Sequence, residues 1–291
     1  MRNNRLYRQA ISIFLFIGYM FLSCNTDDII SVPSQMVVEG WIDHNGFPVV
    51  QLTKTVPIDK TYKDLSSIEE CVIKWAKVTV SDGETDVILT GKVDNNYFPP
   101  YIYTTGQLRG VAGKSYTLTV EYDHFYAESE TTIPYPSEID SFSVTSIGVD
   151  SLYQLTACFK DSSETTDYYA IFTEVSEGYY RFSSNGVLSD EARDSLLCIP
   201  VLKPADMFAD NPNEYTPYFK NGEHAVIKFV RMDSVGYQFW KSFEEARSLS
   251  RIPFFPITDN MQSNIKGGLG YWIGYGANYY TIPIAGSDDN L

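Results

Sequence analysis

Positive charge is in short supply. The 291-residue chain has 22 Lys and Arg against 37 Asp and Glu, a formal net charge of −15. Such a surface repels nucleic acid and anionic lipid headgroups, and leaves neutral sugars, cations and basic partners as compatible company. Histidine is scarcer still: His44, His124 and His224 are the only three. They lie far apart, none belongs to a close ligand pair such as HxxxH, and no zinc site is expected. No Gly-x-Ser-x-Gly elbow occurs, so a hydrolase built on that turn is unsupported. The stretch "GVAGKSY" (110–116) imitates a phosphate loop. The first glycine of that motif falls on Leu108, however, and a strand rather than a helix follows, so Gly110 and Gly113 are expected in turns. There is no internal repeat, no low-complexity tract, and only one long apolar run.

That run is Ala10 to Ser23, 14 residues. As a helix it would reach about 21 Å at ~1.5 Å per residue, whereas a bilayer core asks for ~20 residues. Arg2, Arg5 and Arg8 precede it with no acidic residue among them, the pattern of a cleaved signal peptide over 1–23. It ends in Phe21-Leu22-Ser23-Cys24, which resembles a bacterial lipobox. The resemblance implies cleavage before Cys24, diacylation of its thiol and acylation of the new N-terminus. The alternatives are an ordinary cleaved leader with Cys24 as an incidental thiol, and a membrane span. Residues 24–32 would then be a lipidated tether. Asp27 and Asp28 look like the surface-export signal of Bacteroidota lipoproteins, and also suit a simple solvated tether.

With Cys24 lipidated, Cys71, Cys158 and Cys198 remain, and three cannot all pair within one chain. At most one disulfide is open, Cys158 with Cys198; buried free thiols are the plainer expectation, because Cys is among the most buried residue types.

The body is expected to be mainly β. "QMVVEGWI" (35–42) and "FPVVQLTKT" (47–55) flank the turn signal "DHNG". "VIKWAKVTVSDGETDVILT" (72–90) is read as two strands around Asp82-Gly83. "YFPPYIYTT" (97–105) carries Pro99-Pro100, so its strand starts late or lies at an edge. In "KSYTLTVEYDHFYAESETTIP" (114–134), Tyr116, Leu118, Val120 and Tyr122 alternate with polar residues, the period-two pattern of a hairpin with one buried face. Short strands with turns every 8–12 residues describe an immunoglobulin-like sandwich over 33–134. Residues 135–140 are read as a linker, and 141–291 as a second β-rich domain. There, "HAVIKFVRMDS" (224–234) is a strand, and residues 183–223 are expected as loops with a short helix at 189–197. One amphipathic helix is expected near 236–250, with Ser234 as its N-cap, Tyr237, Trp240, Phe243 and Leu249 on its apolar stripe, and a stop before Pro253.

Five segments come in the order of a known family: "VVEGWI" (37–42), "GKSYTLTV" (113–120), "TTIP" (131–134), "DYYAIF" (167–172) and "NIKGGLGYWIGY" (264–275). Together with the lipobox they resemble a family of Bacteroidota outer-membrane lipoproteins, domain of unknown function forty-two forty-nine. The resemblance implies a place at the outer membrane, facing periplasm or cell surface, beside TonB-dependent transporters and their regulatory modules. It supplies no catalytic residue and implies no cofactor.

Two local features invite a ligand. The acidic loops "KDSSETTD" (160–167) and "ADMFADNPNEY" (205–215) offer Asp206, Asp210, Asn211, Asn213 and Glu214 as hard oxygen donors, though neither follows the DxDxDG pattern, and solvated loops are the plainer reading. "GGLGYWIGYGANYY" (267–280) would put Tyr271, Ile273 and Tyr275 on one face of a strand and Trp272, Gly274 and Gly276 on the other. Tyr271, Trp272 and Tyr275 are therefore candidates for a ligand or partner surface, stacking on a sugar ring or admitting a strand; core packing is the alternative. The expected function is that of a non-enzymatic lipid-anchored binding or accessory module. A fimbria-like structural subunit exchanging strands, or a hydrolase whose site is assembled from distant residues, are the other readings.

Overall fold

The structure is a computed structural model that describes residues 34–55, 70–148, 151–160, 166–175, 183–189, 196–203, 216–249 and 261–285. The leader, Cys24 and its tether, the loop at 205–215 and most of the loop at 160–167 lie outside the described residues. The chain is mainly β, with several sheets and, among the described residues, one helix.

The first region folds as expected from its alternation. β1 (Met36–Asp43) turns back through 44–48 into β2 (Val49–Lys54); β3 (Lys77–Ser81) turns at Asp82-Gly83 into β4 (Asp86–Ile88). β5 (Thr90–Val93) and β6 (Tyr101–Thr104) pair with each other, and β6 starts directly after Pro99-Pro100. β7 (Ser115–Tyr122) and β8 (Phe125–Thr132) form the long hairpin, with Tyr116, Leu118 and Val120 buried. One sheet runs β4-β3-β7-β8; β1, β2, β6 and β5 belong to the other. Met36, Val38, Ile42, Val50 and Leu52 from one sheet meet Val78, Val80, Tyr116, Leu118 and Val120 from the other in a sandwich core.

The second region has β9 (Ser141–Ser146), β10 (Leu152–Lys160), β11 (Tyr168–Val175), β12 (Ser183–Ser189), β13 (Leu196–Val201), β14 (Phe219–Lys220) and β15 (His224–Met232). The helix α1 (Ser234–Leu249) and the long strand β16 (Leu269–Pro283) complete it. β10 pairs with β9, β13 and β14 in a third sheet. Loops were expected over 183–223, yet β12, β13 and β14 lie there. β13 pairs along β10 with Ile199 and Val201 turned inward, and two cross-strand cysteines set opposite each other. Cys158 and Cys198 form a disulfide, where free thiols were the plainer expectation. Cys71 stands outside the disulfide and is half-buried.

The helix forms where its stripe predicts, but its cap is one residue earlier. Asp233 Oδ1 accepts a hydrogen bond from Gly236 N at 2.7 Å, so Asp233 rather than Ser234 satisfies the exposed first-turn amides. Phe239, Trp240 and Phe243 then bury against the sheet.

β16 joins the two regions. Residues 269–275 pair in parallel with β1, and residues 276–283 pair antiparallel with β15. The result is one eight-stranded sheet, β12-β11-β15-β16-β1-β2-β6-β5. Its β11-β15-β16 part is covered on both faces. Tyr169, Ile171, Ala225, Ile227 and Phe229 meet the third sheet. Ala170, Phe172, Val230, Met232, Ile273 and Tyr275 meet α1.

Candidate functional site

A strand buried on both faces is expected to be apolar throughout. β15 breaks that rule at Lys228, which lies on the helix side of the sheet between Phe172 of β11 and Tyr279 of β16 in the cross-strand register. Its ammonium is 2.7 Å from Asp43 Oδ1 and 2.9 Å from Oδ2. Asp43 is the last residue of β1 and pairs with Tyr275 of β16. The tyrosine hydroxyl of Tyr279 donates to Asp43 Oδ2 at 2.5 Å. Lys228 and Asp43 are only 5% and 6% exposed.

Aromatic rings enclose the pair. Lys228 Nζ lies 4.6 Å from the Tyr275 ring centroid, 5.7 Å from Trp41, and 5.9 Å from both Phe172 and Tyr279. Tyr97 sits 6.0 Å from Trp41, ring to ring. The ring faces attract the cation, but the desolvation cost of a buried charge remains, and it pushes the Lys228 ammonium toward its neutral form against the pull of Asp43. The Tyr279 side chain is 53% exposed, but its hydroxyl lies against Asp43, where burial first, then the Asp43 charge and its hydrogen bond, raise it above its ordinary range, so Tyr279 stays a donor. Tyr275 is raised likewise, chiefly by burial, and accepts a hydrogen bond from Trp240 Nε1 at 2.7 Å.

The residues expected to form a ligand or partner surface are interior. Trp272 is 0% exposed, sits in the sandwich core and donates from Nε1 to Tyr116 O at 2.9 Å. A Cβ on Gly40 would approach Trp272 Cε3 to 2.8 Å, so the glycine of "VVEGWI" makes room for the indole. Tyr271 packs 4.5 Å from Phe239 of α1. Only Tyr275 of the three belongs to the lysine's surroundings. The strand alternation was legible; the covering layers on each face were not, and these turn the expected platform into core. Gly274 and Gly276 serve the same economy of space. Cβ atoms there would come within 2.9 Å of the Thr132 backbone and 2.5 Å of Pro134 O. The connection 132–136 therefore crosses β16 in backbone contact, and Asn278 holds it next by donating to Ser137 O at 2.9 Å.

The three histidines stay apart. His44 accepts from Ala112 N, His124 pairs with Asp123, and His224 opens β15 at an exposed position. Among the described residues no group of His, Cys, Asp and Glu is placed to hold a metal. Sequence reasoning does not find Asp43 and Lys228 as a pair, since Asp43 belongs to the turn signal "DHNG" and its partner lies 185 positions away. The one available signal was a lysine inside "AVIKFV", apolar on both strand faces.

These features define a class: a two-part β-sandwich protein in which one shared strand and one sealed ion pair connect the parts. More particularly, the chain belongs to the family described as Domain of unknown function (DUF4249), whose family model matches residues 23–280. Comparison with curated proteins finds no match.

Proposed function

We propose that this protein is a lipid-anchored component of the outer membrane of a Bacteroidota-type envelope, held through Cys24, and that it acts as a binding or accessory module beside a TonB-dependent transporter. The observation that carries the reading is the N-terminal arrangement: a basic start, a short apolar run and Cys24, with the family match opening at Ser23, directly before that cysteine. The Cys158–Cys198 disulfide supports it, because such bonds persist in oxidising compartments. The acyl chains would contribute ~0.8 kcal/mol per buried methylene, enough in combination to keep the body on the membrane. The tether leads directly into β1, which is paired on both sides within the largest sheet. Tethering raises the local concentration of the body near a membrane partner, so modest contacts suffice.

Strand exchange between fimbria-like subunits is the less favoured reading. β16 is the last of the described strands, but it is paired with both β1 and β15 and carries Trp272 and Tyr275 into two cores. Releasing it would open both.

The test is the mature N-terminus and the company of the native protein. Mass spectrometry is expected to find a chain beginning at an acylated Cys24, and Cys24→Ala is expected to leave the membrane fraction. Gentle solubilisation is expected to co-purify a large β-barrel transporter with the acylated form. A retained leader, or a mature start elsewhere without fatty acid, overturns the anchor; an acylated protein that never co-purifies with a transporter overturns the accessory role.

A further inference from the structure

We propose that Lys228 and Asp43 form an intramolecular isopeptide bond, from Lys228 Nζ to Asp43 Cγ, that ties the first region of the chain covalently to the second. The reacting groups are already in van der Waals contact, with Nζ at 2.7 Å and 2.9 Å from the two carboxylate oxygens. Nζ donates to Oδ2, while Oδ1, though nearer, accepts no hydrogen bond of normal direction, so the amine lies across the carboxyl group beside its carbon. Water is kept out by Trp41, Phe172 and Tyr275, and both partners are nearly fully buried. Burial also shifts Lys228 toward the free amine, the form that can act as a nucleophile.

The chemistry balances within the site. Proton transfer inside the pair turns ammonium and carboxylate into amine and carboxylic acid, an exchange that a dry surround favours over separated charges. The amine lone pair adds to Cγ and a C–N bond forms. Tyr279, whose hydroxyl already donates to Oδ2, passes its proton to that oxygen and takes one from Nζ. The Cγ–Oδ2 bond breaks and one water leaves. No oxidant, reductant or cofactor takes part. Once made, the amide would be shielded from hydrolysis by the same rings. It would also remove two buried charges, whose retention is the costly feature of this site.

The experiment uses the full chain, purified from envelopes, reduced, denatured and digested with two proteases of different specificity. High-resolution mass spectrometry is expected to find a branched peptide joining the segment that carries Asp43 to the segment that carries Lys228, lighter than their sum by one water. Lys228→Met and Asp43→Ala are each expected to abolish it. Tyr279→Phe is expected to slow its appearance after synthesis by at least about tenfold, as loss of a proton-transfer group does. Recovery of only the two linear, unmodified peptides from the native protein overturns the proposal. An unchanged rate in Tyr279→Phe removes the relay assigned to that hydroxyl.

Discussion

Trp272 shows how one side chain can be committed to the interior while looking like a binding residue in the sequence. It fills the space above Gly40 and hydrogen-bonds Tyr116 O. Trp272→Ala is expected to cost about 3–5 kcal/mol in denaturant unfolding, the usual range for emptying a large aromatic site. Trp75 makes the opposite case at 88% exposed, and Trp75→Ala is expected to stay within about 0.5 kcal/mol of the parent. Equal losses at the two tryptophans would contradict this assignment of core and surface. Glu174, buried on β11 with Oε1 lacking a hydrogen-bond partner, is held above the ordinary carboxylate range by burial. The folded state then keeps its proton to higher pH than the unfolded chain does. Stability from this group is complete below the unfolded value and falls as pH climbs through the folded one. Glu174→Gln is accordingly expected to melt higher than the parent at neutral pH, with the advantage shrinking as pH falls. A constant difference across the acid range would show that titration is not its cause.

At the scale of elements, α1 tests how caps are read. Asp233 and Ser234 stand side by side, both of common N-cap type, and periodicity alone does not choose between them. The tertiary position of β15 decides, because the strand ends at Met232 and the next residue turns its carboxylate onto Gly236 N. Asp233→Ala is expected to cost about 1 kcal/mol, and Ser234→Ala much less, in thermal or denaturant unfolding. The reverse order would restore Ser234 as the cap. β13 was illegible for a related reason: Leu196–Val201 carries Pro200 and reads locally as loop, and only its pairing along β10 makes it a strand. The short helix expected at 189–197 lies mostly outside the described residues.

At the scale of the whole molecule, β16 and the disulfide hold the second region in different ways. β16 holds it through two sets of strand pairs; the disulfide closes a loop with a sequence separation of 40. Replacing both Cys158 and Cys198 with Ser is expected to lower stability by about 2–4 kcal/mol through the freer unfolded chain, read as a shift of the reduced-minus-oxidised difference to zero. A double variant as stable as the oxidised parent would show that the bond contributes nothing to the fold.

What the residues determined unaided was local. Alternation in 115–122, turn chemistry at Asp82-Gly83, the late start after Pro99-Pro100 and the apolar stripe of α1 each follow from neighbours a few positions apart, and each appears in the fold. The order of five short segments, together with the lipobox-like stretch, carried the resemblance to the family whose model matches residues 23–280. Only tertiary structure decided what covers each face. The strand at 269–283 became the shared centre of one sheet, Tyr271, Trp272 and Tyr275 went inward, and Asp43 met Lys228 across 185 residues. Period and propensity act over one or two turns of chain, whereas burial is set by whatever layer arrives from elsewhere, and that layer leaves no mark on the segment it covers.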